Sequence, residues 1–327
     1  MDALCSELMR NYDIKIINAK KYKGFYIITS DKGKYSLKKT DNDEFQLGFQ
    51  LGLQKKLEEA GFFNFAKIYE TKEKRACVCS GGANYILTDY IEGGEVDFDK
   101  EAHIDGIINT LADFHKYSDA DSYGLGPKAE DMRKIARKYY IKLSAIKRKI
   151  DISKGLSEFD MLFLKNCDYY MNNAIICEAI LNSGKYGERY EKAISYGSVC
   201  HNLLKRENLI VKNGEVWLAS LSGCRLDYYT ADIAMLIERY MKYSKVREIS
   251  LMDMVNKYSN YRLVDNDDYA IILAGLLLPE SFVKISELYY SKKRSWAPTS
   301  VMDKMKLIIS TKATNAEYLR PLLEIVK

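Results

Sequence analysis

Tyr85-Ile86-Leu87-Thr88-Asp89-Tyr90-Ile91-Glu92-Gly93-Gly94 changes character at its end, and the fold class follows from that change. Its first seven residues have the aromatic and β-branched content of a strand, and the acid and two glycines that follow end it. Upstream, Phe25 to Thr29, the turn Ser30-Asp31-Lys32-Gly33 and Lys34 to Lys38 read as a hairpin. Phe45, Phe49, Leu53 and Leu57 recur at every fourth position, which makes one helical stripe stopping at Gly61. Ala66 to Tyr69 and Ala76 to Cys79 add short strands, so residues 1–91 are expected to form a small antiparallel sheet crossed by one helix. Downstream the period becomes helical. Ile107, Ile108, Leu111 and Phe114 share a face within Ile104 to Lys116, and residues 132–150 place Ile135, Tyr139, Leu143 and Ile146 on another. One hairpin interrupts these helices, Leu209 to Leu218 around the turn Asn213-Gly214. The expectation is an α+β, two-lobed chain, with a sheet lobe over 1–91, a hinge at Glu92 to Gly94 and a mostly helical lobe over 92–327.

Composition narrows the function classes. Fifty Lys and Arg against 45 Asp and Glu leave a net charge of +5, too little to argue for a nucleic-acid or membrane partner. Residues 132–150 hold eight cations and no acid, and are read as a helix with a solvated basic face in preference to a polyanion strip. Seven scattered cysteines form neither a disulfide framework nor a zinc quartet, which suits a reducing compartment. Cys77 and Cys79 would share one side of a strand, but no His or second Cys pair is near in sequence, so no metal is expected. The first residues lack a basic segment followed by an apolar core, so no export signal is expected. The longest apolar run, Ala270 to Leu278, falls well short of the roughly 20 residues that span a bilayer.

Leu37-Lys38 near the end of a strand, Tyr85 to Glu92, and Leu111-Ala112-Asp113-Phe114-His115 resemble the phosphate-holding Lys, the hinge strand and a helix end of the aminoglycoside phosphotransferase and choline kinase superfamily. Together with Gly33 to Lys39, Tyr90 to Gly93, Asp232 to Tyr240, Leu278 to Phe282 and Tyr289 to Trp296, they make the chain similar nearly end to end to the CotS family of endospore coat proteins. That resemblance implies a bilobal protein-kinase-like fold, synthesis in the mother-cell cytoplasm, and assembly with other spore coat proteins. The 26 tyrosines suit such a setting.

The resemblance also shows what has changed. Active relatives carry His-Gly-Asp in the catalytic loop with an Asn five residues after the Asp. Here the segment Ser195 to Leu204 puts Gly197 at the Asp if Asn202 is the Asn, and Ser198 there if Tyr196-Gly197-Ser198 is the triplet. The metal-binding carboxylates are replaced by Ser220 and Ser222 in Leu218-Ala219-Ser220-Leu221-Ser222-Gly223. No acid lies between Phe45 and Leu57 to pair with Lys38. Lys38 and Asn202 are thus expected to line a vestigial nucleotide cleft, Asp232 to cap a helix and brace the loop, and His115 to close its helix. Asp227 is left as a loop residue and His201 as scaffolding. The function expected is a structural coat protein without turnover and without cofactor. The alternative is a small-molecule phosphotransferase using ATP and magnesium, and a third reading is residual nucleotide binding without turnover.

Overall fold

A computed structural model describes residues 3–22, 24–118, 125–150, 155–291 and 299–326. Gly124 and the motif residues Lys292 to Trp296 lie outside them. In chain order the elements are α1 (Ala3–Met9), β1 (Ile16–Tyr22), β2 (Phe25–Ser30), β3 (Gly33–Thr40), α2 (Glu44–Glu59), β4 (Ile68–Tyr69), β5 (Val78–Ser80), β6 (Ala83–Asp89), β7 (Gly94–Glu95) and α3 (Glu101–Ser118). There follow α4 (Met132–Lys149), α5 (Glu158–Ser183), α6 (Tyr186–Tyr196), β8 (Val199–Cys200), β9 (Leu209–Lys212), β10 (Glu215–Leu218) and β11 (Arg225–Leu226). The chain closes with α7 (Thr230–Tyr243), α8 (Leu251–Ser259), α9 (Asn266–Leu277), α10 (Glu280–Ser291), α11 (Thr299–Ser310), α12 (Lys312–Tyr318) and α13 (Arg320–Val326). Two compact units emerge, residues 1–129 with 193–232 and 243–246, and residues 130–192 with 233–242 and 247–327.

In the first unit, the main sheet runs in the order β1-β2-β3-β6-β4, antiparallel throughout, with β5 also on β6. The expected hairpin is β2–β3, whose register closes at Ser30 and Gly33. Two elements were not anticipated. Strand β1 extends the sheet edge, and α1 buries Cys5, Leu8 and Met9 with Tyr26, Ile28, Tyr35, Leu37 and Leu87 to form the sheet's core. Helix α2 begins on a capping box in which Asp43 accepts from the Gln46 N–H and the Gln46 side chain accepts from the Asp43 N–H.

The hairpin β9–β10 turns at Asn213 and Gly214, both with positive φ, as a tight two-residue turn requires. The expected hinge joins this hairpin as strand β7, which pairs with β9. Packing explains the glycine there, since a Cβ on Gly93 would lie 2.3 Å from the Val211 carbonyl oxygen. The second unit is helical. Its core stacks Phe159 on Tyr289 with centroids 3.8 Å apart and Tyr170 on Phe282 at 4.0 Å, with Leu143, Phe163 and Met305 around them.

Candidate functional site: a kinase-like loop and its neighbouring turn

The candidate site residues Lys38, His115, Gly197, Ser198, His201, Asn202, Ser220, Ser222, Asp227 and Asp232 all fall in the first unit. The loop that follows β8 is held from below by one carboxylate. Asp232, in the first turn of α7, is completely buried and accepts from the backbone N–H of His201 at 2.6 Å and of Asn202 at 2.8 Å. His115, near the end of α3, places Nε2 3.0 Å from the same carboxylate. Burial acts to raise the pKa of Asp232, but His115, His201 and the Asn202 N–H outweigh it and hold the group below the usual carboxylate range. The donor atoms of His115, Cys200 and Asp232 lie within 4.8 Å of one another, a spacing that metal sites also show. Both Asp232 oxygens already accept main-chain bonds, however, so the cluster is explained as a brace.

Above the brace, His201 is fully buried and its Nε2 lies 2.8 Å from the Ser220 carbonyl oxygen, which fixes the proton on Nε2. Burial lowers its pKa and keeps the ring neutral. Asn202 adopts φ +53°, the left-handed region that Asn tolerates. The turn after β10 packs against this loop, because a Cβ on Gly223 would meet the Leu203 Cβ at 2.4 Å and the His201 carbonyl oxygen at 2.7 Å. Asn208 ties the two segments together. Its Nδ2 donates to the Leu203 carbonyl at 3.2 Å, and its own carbonyl accepts from the Ala219 N–H at 2.8 Å.

Within the turn, the Ser220 hydroxyl donates to the Ser222 hydroxyl at 2.8 Å, and the Ser222 N–H donates to Ser220 Oγ at 3.2 Å. Asn42 Nδ2 closes over them onto the Ser222 carbonyl at 3.1 Å. Lys38 Nζ approaches the Ala219 carbonyl at 3.4 Å, and no carboxylate among the described residues lies within ion-pair distance of it. Burial pushes the Lys38 ammonium down to about 8. Glu58 pairs instead with Lys67, at 2.8 Å.

Lys38, Ser220 and Ser222 therefore meet beside the loop, while Gly197 and Ser198 stand elsewhere. Gly197 and Ser198 donate to the end of α6, at Ile194 and Ala193, and the Ser198 carbonyl accepts from the Asp227 N–H at 3.0 Å. Asp227 is itself buried. Burial pushes its carboxyl up to about 7 and the neighbouring Asp232 adds to the rise, against the Tyr228 N–H and the nearby Asn202 amide, whose Nδ2 makes no hydrogen bond of its own.

Leu203 and Asn208 escape a reading that starts from Tyr196-Gly197-Ser198. Counting from His201 instead finds them, because Asn208 follows Leu203 by five residues and directly precedes β9. As ligands for a magnesium ion, two mutually bonded hydroxyls, a leucine and an amide tied to a carbonyl are a poor set, since such ions are held by carboxylates with phosphate. The donors do not fit that ion.

Residues 5–322 match the family model described as "Spore coat putative kinase YutH". No curated protein matches the chain by sequence. Among solved structures, an aminoglycoside phosphotransferase from Alicyclobacillus acidocaldarius superposes with a TM-score of 0.83 at 19% identity, over 98% of this chain and 96% of that one. A spectinomycin phosphotransferase, solved with ADP and spectinomycin, gives 0.66 at 15% identity over 93% and 92%. The choline kinase LicA from Streptococcus pneumoniae gives 0.56 at 14% over 92% and 94%. These identities speak to the fold alone. The chain has the aminoglycoside phosphotransferase and choline kinase fold, and it belongs to the spore coat YutH family.

Proposed function

We propose that this protein is a catalytically silent, kinase-like scaffold of the spore coat, made in the mother cell and joined to other coat proteins. The observation that carries the reading is the hydrogen bond between Ser220 and Ser222, which occupies with two neutral hydroxyls the place where relatives hold metal with two carboxylates. The loop register belongs to the same proposal. His201, Asn202 and Leu203 take the place of His-Gly-Asp, Asn208 that of the loop Asn, and Leu203 that of the catalytic acid. This reading takes Leu203 and Asn208 in place of Gly197 or Ser198 and Asn202 as the aligned positions, a shift of five or six residues, and it is supported by the brace at Asp232, which meets the loop at His201 and Asn202. A leucine accepts no proton from an attacking hydroxyl, and a serine does not offset metal charge. The division into a lobe over 1–91 and a lobe over 92–327 is carried with the reading.

Thermal unfolding with ATP or ADP, each with and without magnesium, tests it. A ligand at a hundred times its Kd stabilises by about 2.7 kcal/mol. The scaffold reading expects magnesium to add nothing to the midpoint. A nucleotide shift without magnesium would favour a binding regulator built on Lys38, and a magnesium-dependent shift would favour a working phosphotransferase.

A further inference from the structure

Helix α4 sorts its cations by direction. Those at its flanks are matched, Arg133 to Asp131 at 2.6 Å, Lys142 to Glu287 at 2.7 Å and Lys147 to Asp168 at 2.6 Å. On the outward face stand Lys134, Arg137, Lys138, Ile141, Ala145, Arg148 and Lys149, all exposed and, at 100° per residue, within one arc of about 120°. Lys138 alone of these cations has a carboxylate partner among the described residues, Glu130 at 3.2 Å. Among the described residues Lys134, Arg137 and Lys149 have none, and Arg148 bonds to the Ser144 hydroxyl. At the centre of the face Ile141 is 55% exposed. A helix designed only for solvation intersperses acids at i+4, and this one has no acid at all. An apolar centre ringed by like charge has the anatomy of an interface, whose partner carries an apolar group among opposite charges.

The same chain carries that complement on its other unit. From Asp41 to Gln54 it has three acids and no cation, and the acids, Asp41, Asp43 and Glu44, adjoin Phe45, which is 57% exposed. Helix capping accounts for Asp43, which accepts from the Gln46 N–H, but not for a phenyl ring left in water beside three carboxylates. We propose that copies of this chain join head to tail, the acidic Phe45 knob of one copy seated on the Ile141-centred face of α4 of the next. The two patches are different surfaces, so the contact is heterologous and propagates into a ring or an open array. This holds whether or not the cleft turns over a substrate, so either reading can fail without the other.

The test is sedimentation velocity of the full chain over a range of concentrations at low and high salt, with circular dichroism to verify folding. Association that grows with concentration and weakens with salt is expected. Ile141→Ser and Phe45→Ser should each weaken it by about tenfold or more. The triple variant Lys134→Glu, Arg137→Glu, Lys149→Glu and the double variant Asp41→Lys, Glu44→Lys should each be monomeric alone and associate when mixed in equal amounts. A wild type that stays monomeric throughout, or folded charge-reversed variants that stay monomeric when mixed, would overturn the proposal.

Discussion

The Ser220 hydroxyl donates to the Ser222 hydroxyl across 2.8 Å, so the two side chains that we propose stand in place of metal-holding carboxylates satisfy each other. The polar demand of the turn is met internally. Around it the loop is tied down, with Asp232 under it, His201 bonded to the Ser220 carbonyl and Asn208 bonded to that of Leu203. On the proposed reading a phosphotransferase fold persists without its acids, and that separation governs what substitutions should do.

Asp232→Ala should be the most destabilising of the changes considered. It strips the acceptor from the buried His115 and His201 N–H and from the part-buried Asn202 N–H, a class of loss worth about 3–5 kcal/mol. The folded pKa of Asp232 is depressed, so its contribution is present above the unfolded value near 4 and is lost as pH falls through the folded value. Urea unfolding of both proteins at neutral pH and in acid measures this, and the gap between them should narrow in acid.

Asp227 should act with the opposite sign. Its folded pKa is raised to about 7, so the stability it allows is full below the unfolded value near 4 and is lost as pH rises towards 7. Asp227→Asn should therefore stabilise the protein at pH 8 by an amount on the order of a few kcal/mol at most, and flatten the stability profile between about pH 4 and 7. An unchanged profile in the variant would show that the carboxyl does not titrate there.

Lys38 is a partly buried cation with no carboxylate partner among the described residues, and desolvation of its ammonium lowers its pKa to about 8. Between about pH 8 and 10.5 the unfolded chain binds the extra proton, so stability should rise with pH through that window and the penalty is complete below it. Lys38→Met should raise the urea midpoint at pH 7, with the advantage shrinking by pH 10. A large loss of stability in the variant would mean that the ammonium has a partner in solution.

Much of this was legible in the residues. The aromatic and β-branched content of Tyr85 to Ile91, the spacing Phe45, Phe49, Leu53, Leu57 and the Asn213-Gly214 turn each carry their own local physics, and each element formed where that physics put it. Helix α1 was not legible. Its seven residues have too few turns to show a period, and they are held by Tyr26, Ile28 and Leu37, contacts that no local rule encodes. Strand β1, Ile16–Tyr22, hides for a related reason, since its exposed edge alternates weakly. The place of Ser220 and Ser222, just after β10, could be read from the strand before them. Motif alone leaves the loop register open, because Asn202 and Asn208 compete for one role, and what supports the proposed register is a long-range bond that the Asn202 N–H donates to Asp232.

The most direct test is a magnesium-dependent phosphoryl-transfer and ATP-hydrolysis assay on the unmodified protein, on Ser220→Asp, and on Ser220→Asp combined with Leu203→Asp. Proton abstraction by an acid is worth typically 10²–10⁴-fold, and metal charge compensation is a separate requirement, so restoring one acid should not restore turnover. The expected result is no activity above a heat-killed control for the wild type or for Ser220→Asp. Magnesium-dependent turnover by the wild type, abolished in Lys38→Ala, would contradict the silent-scaffold account and make the protein a phosphotransferase.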